Sequence, residues 1–429
     1  MLDRPAKSDA FNRGKRELEI VFFDAGSGHR SAANALAESI GASYANWNVR
    51  LVNLQTLLRS TDPLYKVTGV RSETVYNTAI RRGWTKGSKQ LLRTIQKGIR
   101  LNTAPMKKVL RRYFRTSETD LVVSVVPNFN RVLFEALKLA RPLVPYVTIM
   151  TDIADSPPNF WMENQDQFII CGSRKAVLQA HMTGFYRPER ILETSGMILR
   201  PSFYREDDDL DITRETLGLD TVKPTAIIMF GGNGSTHSAA IAANLRAMGV
   251  QSIVMCGKST GLLDRLKGIP GCRPVGFTDK VASYMRAADF FVGKPGPGSM
   301  SEALHMGLPV IVENNARTLV QERYNIVWAE EKELGVSLRN FSDIGLAVRF
   351  FLRDHRLEHY RRNALNLSNR AVFEIPAMLE GLMQSQIWGE DSRESFAHFP
   401  TDTGPMSIRP KRLASGGTFQ DPSTARQRA

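Results

Sequence analysis

The stretch Val292-Gly-Lys-Pro-Gly-Pro-Gly-Ser-Met-Ser-Glu302 holds the densest set of residues that could do chemistry. It follows an apolar run, Ala288 to Val292, that reads as a buried strand. It precedes Ala303 to Gly307, which reads as a short helix closed by a glycine. A strand feeding a glycine-rich turn and then a helix leaves backbone N–H groups unpaired and pointing outward. The helix N-terminus adds about half a positive charge, so Gly296, Gly298 and Ser299 are candidate holders of an anion. Lys294 is a cation placed for phosphate, and the Glu302 carboxylate could accept two hydroxyls of a sugar. The competing reading is a plain strand-to-helix turn with a capping glutamate.

Two more glycine turns end strands. Gly231, Gly232, Asn233, Gly234 and Ser235 follow the apolar run Thr225 to Phe230. In the other half, Asp24-Ala-Gly-Ser-Gly-His-Arg30 follows Leu18 to Phe23 and supplies Gly26, Gly28 and His29. None of the three has the Gly-Lys-Ser/Thr of a P-loop or the full dinucleotide fingerprint. Together they suggest a diphosphate shared by one cleft. His29 stands at a helix N-terminus, which disfavours imidazolium and keeps a neutral ring available as a base. Asp24 and Asp152 each end a strand where a cleft would open; either could be a base or could orient His29, with helix capping as the competing role. Arg200 is a second cation to place near phosphate. Asp207-Asp-Asp209 has a spacing that could chelate a metal, but it lies in an acidic run with no strand leading into it and reads as solvated. No other His, Cys, Asp or Glu set has metal-ligand spacing, so no metal and no cofactor is expected.

The elements that must position these residues follow one pattern. Strand, turn and helix repeat, reset, and repeat again, which predicts an α/β fold of two facing, doubly wound, Rossmann-like parallel-sheet domains with a cleft between them. Ligands in such sheets bind beyond the carboxyl ends of the strands. The expected divisions are a disordered N-terminus over 1–16, an acceptor-side domain over 17–203, a linker over 204–223, a nucleotide-binding domain over 224–370, a C-terminal helix over 371–388 and a disordered tail over 389–429.

Composition narrows the class. Of 429 residues, 42% are hydrophobic, enough for two cores. Neither a secretory signal nor an apolar run of membrane-spanning length is visible. Cys171, Cys256 and Cys272 sit in or near apolar strands and read as reduced core thiols of a cytosolic protein. The net charge of +14 is concentrated: Arg81 to Arg115 carries a dozen Lys and Arg and no acid. Leu91, Leu92, Ile95 and Ile99 fall at helical spacing within it. A basic amphipathic insert over residues 81–115 fits an anionic membrane surface; nucleic acid is the competing polyanion and is not the expected partner.

The motifs resemble one family. Asp24-Ala-Gly-Ser-Gly-His-Arg30 is similar to the opening motif, and Lys294-Pro-Gly-Pro-Gly-Ser-Met-Ser-Glu-Ala303 to the nucleotide-sugar motif, of inverting GT-B glycosyltransferases. That family contains monogalactosyldiacylglycerol synthases and the lipid II N-acetylglucosaminyltransferase. The resemblance spans about residues 18–370 and is closer to the diacylglycerol branch. It implies a UDP-sugar in the second domain, with Glu302 on the ribose and the 231–235 turn, Gly298 and Ser299 on the diphosphate. It further implies Phe277 over the uracil, Gln321 and Glu322 near the donor sugar or ribose, Arg200 on the donor and His29 near the acceptor hydroxyl or the diphosphate. The family's Asp-x-x-x-x-His-Pro reads here Asp152-Ile-Ala-Asp-Ser-Pro157-Pro158, without the histidine.

The expected activity is metal-independent transfer of a hexose from a UDP-sugar to a lipid acceptor, with diacylglycerol as the first choice. It would proceed with inversion, on the cytosolic face of a membrane, with His29 or Asp152 as base. Two alternatives stand beside it: a UDP-sugar-binding protein without transfer activity, and a UDP-sugar 2-epimerase-like enzyme that needs no membrane.

Overall fold

The computed structural model describes residues 15–24, 28–61, 88–205 and 212–388. The expected disorder at both chain ends, Gly26 and the Asp207–Asp209 run lie outside these residues, apart from Lys15 and Arg16 at the end of the first segment.

The first sheet contains β1 (Arg16–Phe22), β2 (Trp47–Asn53), β3 (Leu121–Ser124), β4 (Tyr146–Ile149), β5 (Phe168–Cys171) and β6 (Ile191–Glu193). The second contains β7 (Thr225–Met229), β8 (Gln251–Gly257), β9 (Cys272–Gly276), β10 (Phe290–Gly293), β11 (Val310–Glu313) and β12 (Gly335–Leu338). All pairings are parallel, in the orders β2-β1-β3-β4-β5-β6 and β12-β11-β10-β7-β8-β9. Central strands such as Leu-Val-Val-Ser and Thr-Ala-Ile-Ile-Met are buried at every residue. Helices therefore cover both faces, which is why these strands read as continuous apolar runs.

Each order reverses once, between β1 and β3 and between β7 and β10. At such a reversal the connections leave to opposite faces, and a crevice opens beyond the strand ends. The chain places its glycine turns there. β1 runs into α1 (Gly28–Ser43), β7 into α7 (His237–Ala247), and β10 into α10 (Pro297–His305). Gly296 caps α10 and Pro297 opens it, so the helix starts six residues earlier than the apolar run from Ala303 suggests. Glu302 thus sits in its second turn. Gly234 is the turn residue that only glycine suits: its φ is +67°, and an added Cβ would lie 2.4 Å from the Cys256 carbonyl oxygen.

One face of the basic insert's described portion packs into the core. Its described portion folds as α3 (Ser88–Leu101) and α4 (Thr103–Thr116), preceded in the chain by α2 (Leu54–Leu58). Met106, Leu110 and Phe114 of α4 are buried in one cluster with Val122, Val132, Leu133 and Tyr146. Leu92 of α3 is buried beside Phe160 and Trp161. Burial stabilises each such side chain by roughly 1.5–3 kcal/mol, so this apolar face is committed to the protein. Leu101 is 87% exposed. The side chains of Leu91 and Ile95 and residues 81–87 lie outside the described set.

α5 (Asn130–Ala140) and α6 (Arg174–Thr183) cover the first sheet; α8 (Thr260–Leu266), α9 (Val281–Arg286), α11 (Arg323–Glu331), α12 (Ile344–Phe351) and α13 (Arg356–Leu365) belong to the second. α14 (Ala371–Trp388) returns to the first half. The Val372 carbonyl accepts from Ser39 Oγ at 2.8 Å, Glu374 from the Ser195 N–H at 2.8 Å, and Glu380 pairs with Arg16 at 3.3 Å.

Candidate active site

Residues from the two halves converge beyond the strand ends. On the first side, α1 begins at Gly28 and holds His29 in its first turn. His29 Nδ1 lies 3.1 Å from Thr151 Oγ1, and its ring centroid lies 6.0 Å from that of Trp161. Burial lowers its pKa to about 4, against a smaller opposing effect of the Val125 carbonyl. The ring is therefore neutral near pH 7 and a weak base. The next residue after Thr151 is Asp152, which is buried and accepts a 2.8 Å hydrogen bond from Trp161 Nε1. Burial pushes its carboxyl up to about 7, the Trp161 bond pulls it back, and the Glu322 and Asp155 charges add to the rise. Asp24 is held by Arg30 and by Asn53 Nδ2 at 2.8 Å, and it is Thr151 that meets His29.

On the second side, Lys294 Nζ lies 3.3 Å from Glu322 Oε1. Both charges act on Asp152 from the other half, Glu322 raising its carboxyl and Lys294 lowering it. Ser156 Oγ donates to the Val320 carbonyl at 3.4 Å, a direct contact between the loop after β4 and the segment before α11. Gly296 backs onto this pair, since a Cβ there would lie 3.5 Å from Glu322 Oε1 and 3.5 Å from Ser299 Oγ. Gln321 Oε1 is buried without a partner.

A third group lies beside Glu302. Its Oε1 is 3.8 Å from Arg200 Nε, which is buried and makes no hydrogen bond, while Arg200 Nη1 donates to the Asp279 carbonyl at 3.1 Å. Burial pushes the Glu302 carboxyl up to about 7 against the pull of Arg200. The turn 231–235 rests on the end of β8, where the Lys258 N–H donates to the Gly232 carbonyl at 3.0 Å. Phe277 is 66% exposed, a Cβ on Gly232 would lie 3.8 Å from its ring, and Lys258 Nζ sits 5.2 Å from its centroid. An exposed aromatic beside a glycine turn offers a stacking face for a base. Ser235 Oγ accepts from the His237 N–H at 3.3 Å, at the start of α7. No His, Cys, Asp or Glu group able to hold a metal occurs among the described residues.

Three residues escape the motif reading. Thr151 and Trp161 carry no signal, because their roles come from reaching His29 and Asp152. Asn325, fully buried, donates from Nδ2 to the Pro295 carbonyl at 2.8 Å and so pins the 294–299 turn from α11. Its place four residues after Gln321 was the available clue. Asn325→Leu removes a buried donor and leaves that carbonyl unpaired. The expected result is a loss of about 1–3 kcal/mol of stability, read by chemical denaturation.

The raised carboxyls make stability depend on pH. Asp152, Asp155, Glu163 and Glu302 have folded-state values of about 7, about 6, about 7 and about 7, each above its ordinary one and each because of burial. Between about pH 4 and 7 the folded chain therefore binds more protons than the unfolded chain, and stability from these groups falls as pH rises through that window. His29, with its lowered value, acts in the opposite sense as a single group. The ligand-free protein is expected to melt at a lower temperature at pH 8 than at pH 5.5, with a shallower slope in Asp152→Asn. Differential scanning calorimetry reads both.

No protein-family model matches the chain. It is 28% identical over 406 residues to the chloroplastic monogalactosyldiacylglycerol synthase of Spinacia oleracea, covering 87% of this chain and 74% of that protein. It is 27% identical over 397 residues to monogalactosyldiacylglycerol synthase 1 of Arabidopsis thaliana, covering 85% and 70%. Among solved structures it superposes on MurG of Acinetobacter baumannii with a TM-score of 0.56 at 11% identity, covering 86% of this chain and 99% of that one. The paired sheets, the glycine turns at both reversals and these likenesses agree: the chain is a glycosyltransferase of GT-B fold, homologous over most of its length to the monogalactosyldiacylglycerol synthases.

Proposed function

We propose that the chain transfers a hexose from a UDP-sugar to the free hydroxyl of diacylglycerol, with inversion. The carrying observation is that the Lys294–Glu322 pair of one half acts electrostatically on the buried Asp152 of the other, while Ser156 Oγ reaches the Val320 carbonyl between the same segments. In this reading a proton acceptor from one half faces the cation and carboxylate that flank the glycine turn of the other. Homology to the monogalactosyldiacylglycerol synthases supports the choice of acceptor.

In this reading Glu302 accepts the ribose hydroxyls and Phe277 stacks on the uracil. The 231–235 turn, Gly298 and Ser299 receive the diphosphate on their N–H groups, as helix starts do for anions. Lys294 and Arg200 offset charge on the leaving UDP, work done elsewhere by a metal. Gln321 and Glu322 face the hexose. Asp152 takes the proton of the acceptor hydroxyl as that oxygen attacks the anomeric carbon from the side opposite UDP. Its value near 7 matches the task better than the value near 4 of His29. His29, neutral and held by Thr151, orients the same hydroxyl. The basic segment 81–115, with Leu101 at its surface, holds the enzyme on the anionic, cytosolic face of a membrane. None of the described helices is long and apolar enough to cross one.

Incubation with radiolabelled UDP-galactose or UDP-glucose and diacylglycerol vesicles tests the reading. Labelled glycolipid is expected. UDP binding with no transfer to any lipid would instead leave a nucleotide-sugar-binding protein.

A further inference from the structure

Between β4 and β5 the chain runs over residues 150–167 without a helix or strand, yet Asp152 to Asp155 and Phe160 to Met162 are buried. Buried N–H groups with no ladder partner must find side-chain acceptors. Asp155 supplies them. Its Oδ1 accepts from the Trp161 N–H at 2.7 Å and its Oδ2 from the Asn159 N–H at 3.0 Å. Burial pushes the carboxyl up to about 6, and the N–H groups of Trp161, Asn159, Phe160 and Met162 oppose that rise. At pH 7 the group is therefore mostly ionised and only accepts, which makes these the stronger, charge-assisted kind of bond.

Asp155 is itself held in place. Its main-chain N–H donates to Gln179 Oε1 at 2.9 Å, and Gln179 Nε2 donates to its carbonyl at 3.0 Å. One side chain of α6 thus grips the Asp155 backbone from both sides. Ser173, at the start of the same helix, donates from Oγ to the Ile153 carbonyl. The carboxylate is an anchor fixed to α6, and the segment from Asn159 to Trp161 is tied to it.

What that tie controls is Trp161. The residue is fully buried, its indole N–H donates to Asp152 Oδ2 at 2.8 Å, and its ring centroid lies 6.0 Å from that of His29. Its main chain hangs from Asp155 while its side chain holds Asp152. We infer that Asp155 is a positioning residue for the transfer reaction: it fixes the Trp161 backbone so that the indole holds the Asp152 carboxylate in one orientation. The inference rests on the reading of Asp152 as the base proposed above. Three charged groups act on Asp152: Glu322 and Asp155 raise its carboxyl and Lys294 lowers it. Asp155 therefore reaches the base in two ways, weakly as a charge and firmly through Trp161.

NMR of the full chain, labelled at its tryptophan indole nitrogens, tests the assignment. The five tryptophans give separate indole N–H signals, and Trp161→Phe identifies the one at issue. In the wild type that signal should shift with pH around 7, following the Asp152 carboxyl. Asp152→Asn should abolish the shift, which shows what it reports. Asp155→Asn keeps one acceptor oxygen and turns the other into a donor, so a loop N–H loses its partner. Most of the pH-dependent shift should then disappear, and hexose transfer should fall about 10–100-fold, the cost of a misplaced group, with the KM for the UDP-sugar unchanged. A residue that merely braces the loop would lower the melting temperature and leave the shift intact. Should Asp155→Asn not fold, Gln179→Met loosens the same anchor without touching the carboxylate and should reduce the shift in the same direction. A wild-type indole that ignores pH, or a shift of wild-type size in the folded variant, would overturn the assignment. Absence of lipid product from the wild type would count against the proposed transferase alone, since the indole signal still reports the chain from Asp155 through Trp161 to Asp152.

Discussion

Asp152→Asn is expected to lower hexose transfer by about 10²–10³-fold, the usual contribution of a positioned base, while leaving UDP affinity nearly unchanged. Asparagine has the same shape, and its carbonyl oxygen can still accept from Trp161 Nε1, so the loop keeps its place. What is lost is the lone pair that takes the acceptor proton. The wild-type carboxyl titrates at about 7, so kcat/KM should rise with pH through that value and then level. In the variant the residual rate should lack this rise. His29 supplies the contrast. With a value of about 4 it carries no charge from pH 5 to 9, so His29→Ala should weaken acceptor use yet keep the limb near 7. A limb near 7 that survives in Asp152→Asn and vanishes in His29→Ala would assign the proton to the histidine.

The parts of the fold that local sequence dictates were legible. Apolar runs such as Thr225 to Phe230, each ending in glycines, announce parallel strands covered on both faces, and both sheets follow from their repetition. The turn residues Gly231 to Ser235 and Lys294 to Ser299 are likewise local, since a strand end and a helix start define them. Partnerships were not legible. Arg200 and Glu302 meet because the fold brings distant segments together, His29 and Thr151 because two strands of one sheet end near each other, and Asp152 and Trp161 because the loop between them folds back, and no spacing encodes these contacts. β12, Gly335–Leu338, is not legible either, because a short edge strand with partly exposed residues has little apolar signal.

The basic segment shows the limit of periodicity most clearly. Met106, Leu110 and Phe114 repeat every fourth residue, as a membrane-facing stripe would. That spacing only says that one helix face is apolar and does not say what covers it. The cover is α5 and the first sheet. Lys108, Arg112 and Arg115 are exposed on the other side, and Leu101 is exposed beside them in the chain. The segment is thus a structural helix pair with a basic outer side.

Glu302→Ala is expected to weaken UDP binding by about 10–100-fold, the loss of charge-assisted hydrogen bonds worth roughly 1.5–3 kcal/mol. The carboxylate stands beside α10's glycine turn with its nearest charge, Arg200 Nε, 3.8 Å away and otherwise unpartnered. Truncation would therefore also leave a buried guanidinium without its counter-charge. Titration separates these two effects. Burial holds the carboxyl at about 7 in the free protein, and only its ionised form can accept both ribose hydroxyls. Affinity should thus fall as pH drops from 8 to 5.5, with protons taken up from buffer when ligand leaves. Uridine is the proper ligand for this measurement, because it lacks the diphosphate whose own titration would confuse the slope. Glu302→Gln keeps the volume and cannot ionise, so its uridine affinity should be low and flat across the same range. A wild type as flat as Glu302→Gln, or an alanine variant that binds uridine normally, would remove Glu302 from the ribose and leave the exposed ring of Phe277 and the 231–235 turn to hold the nucleotide.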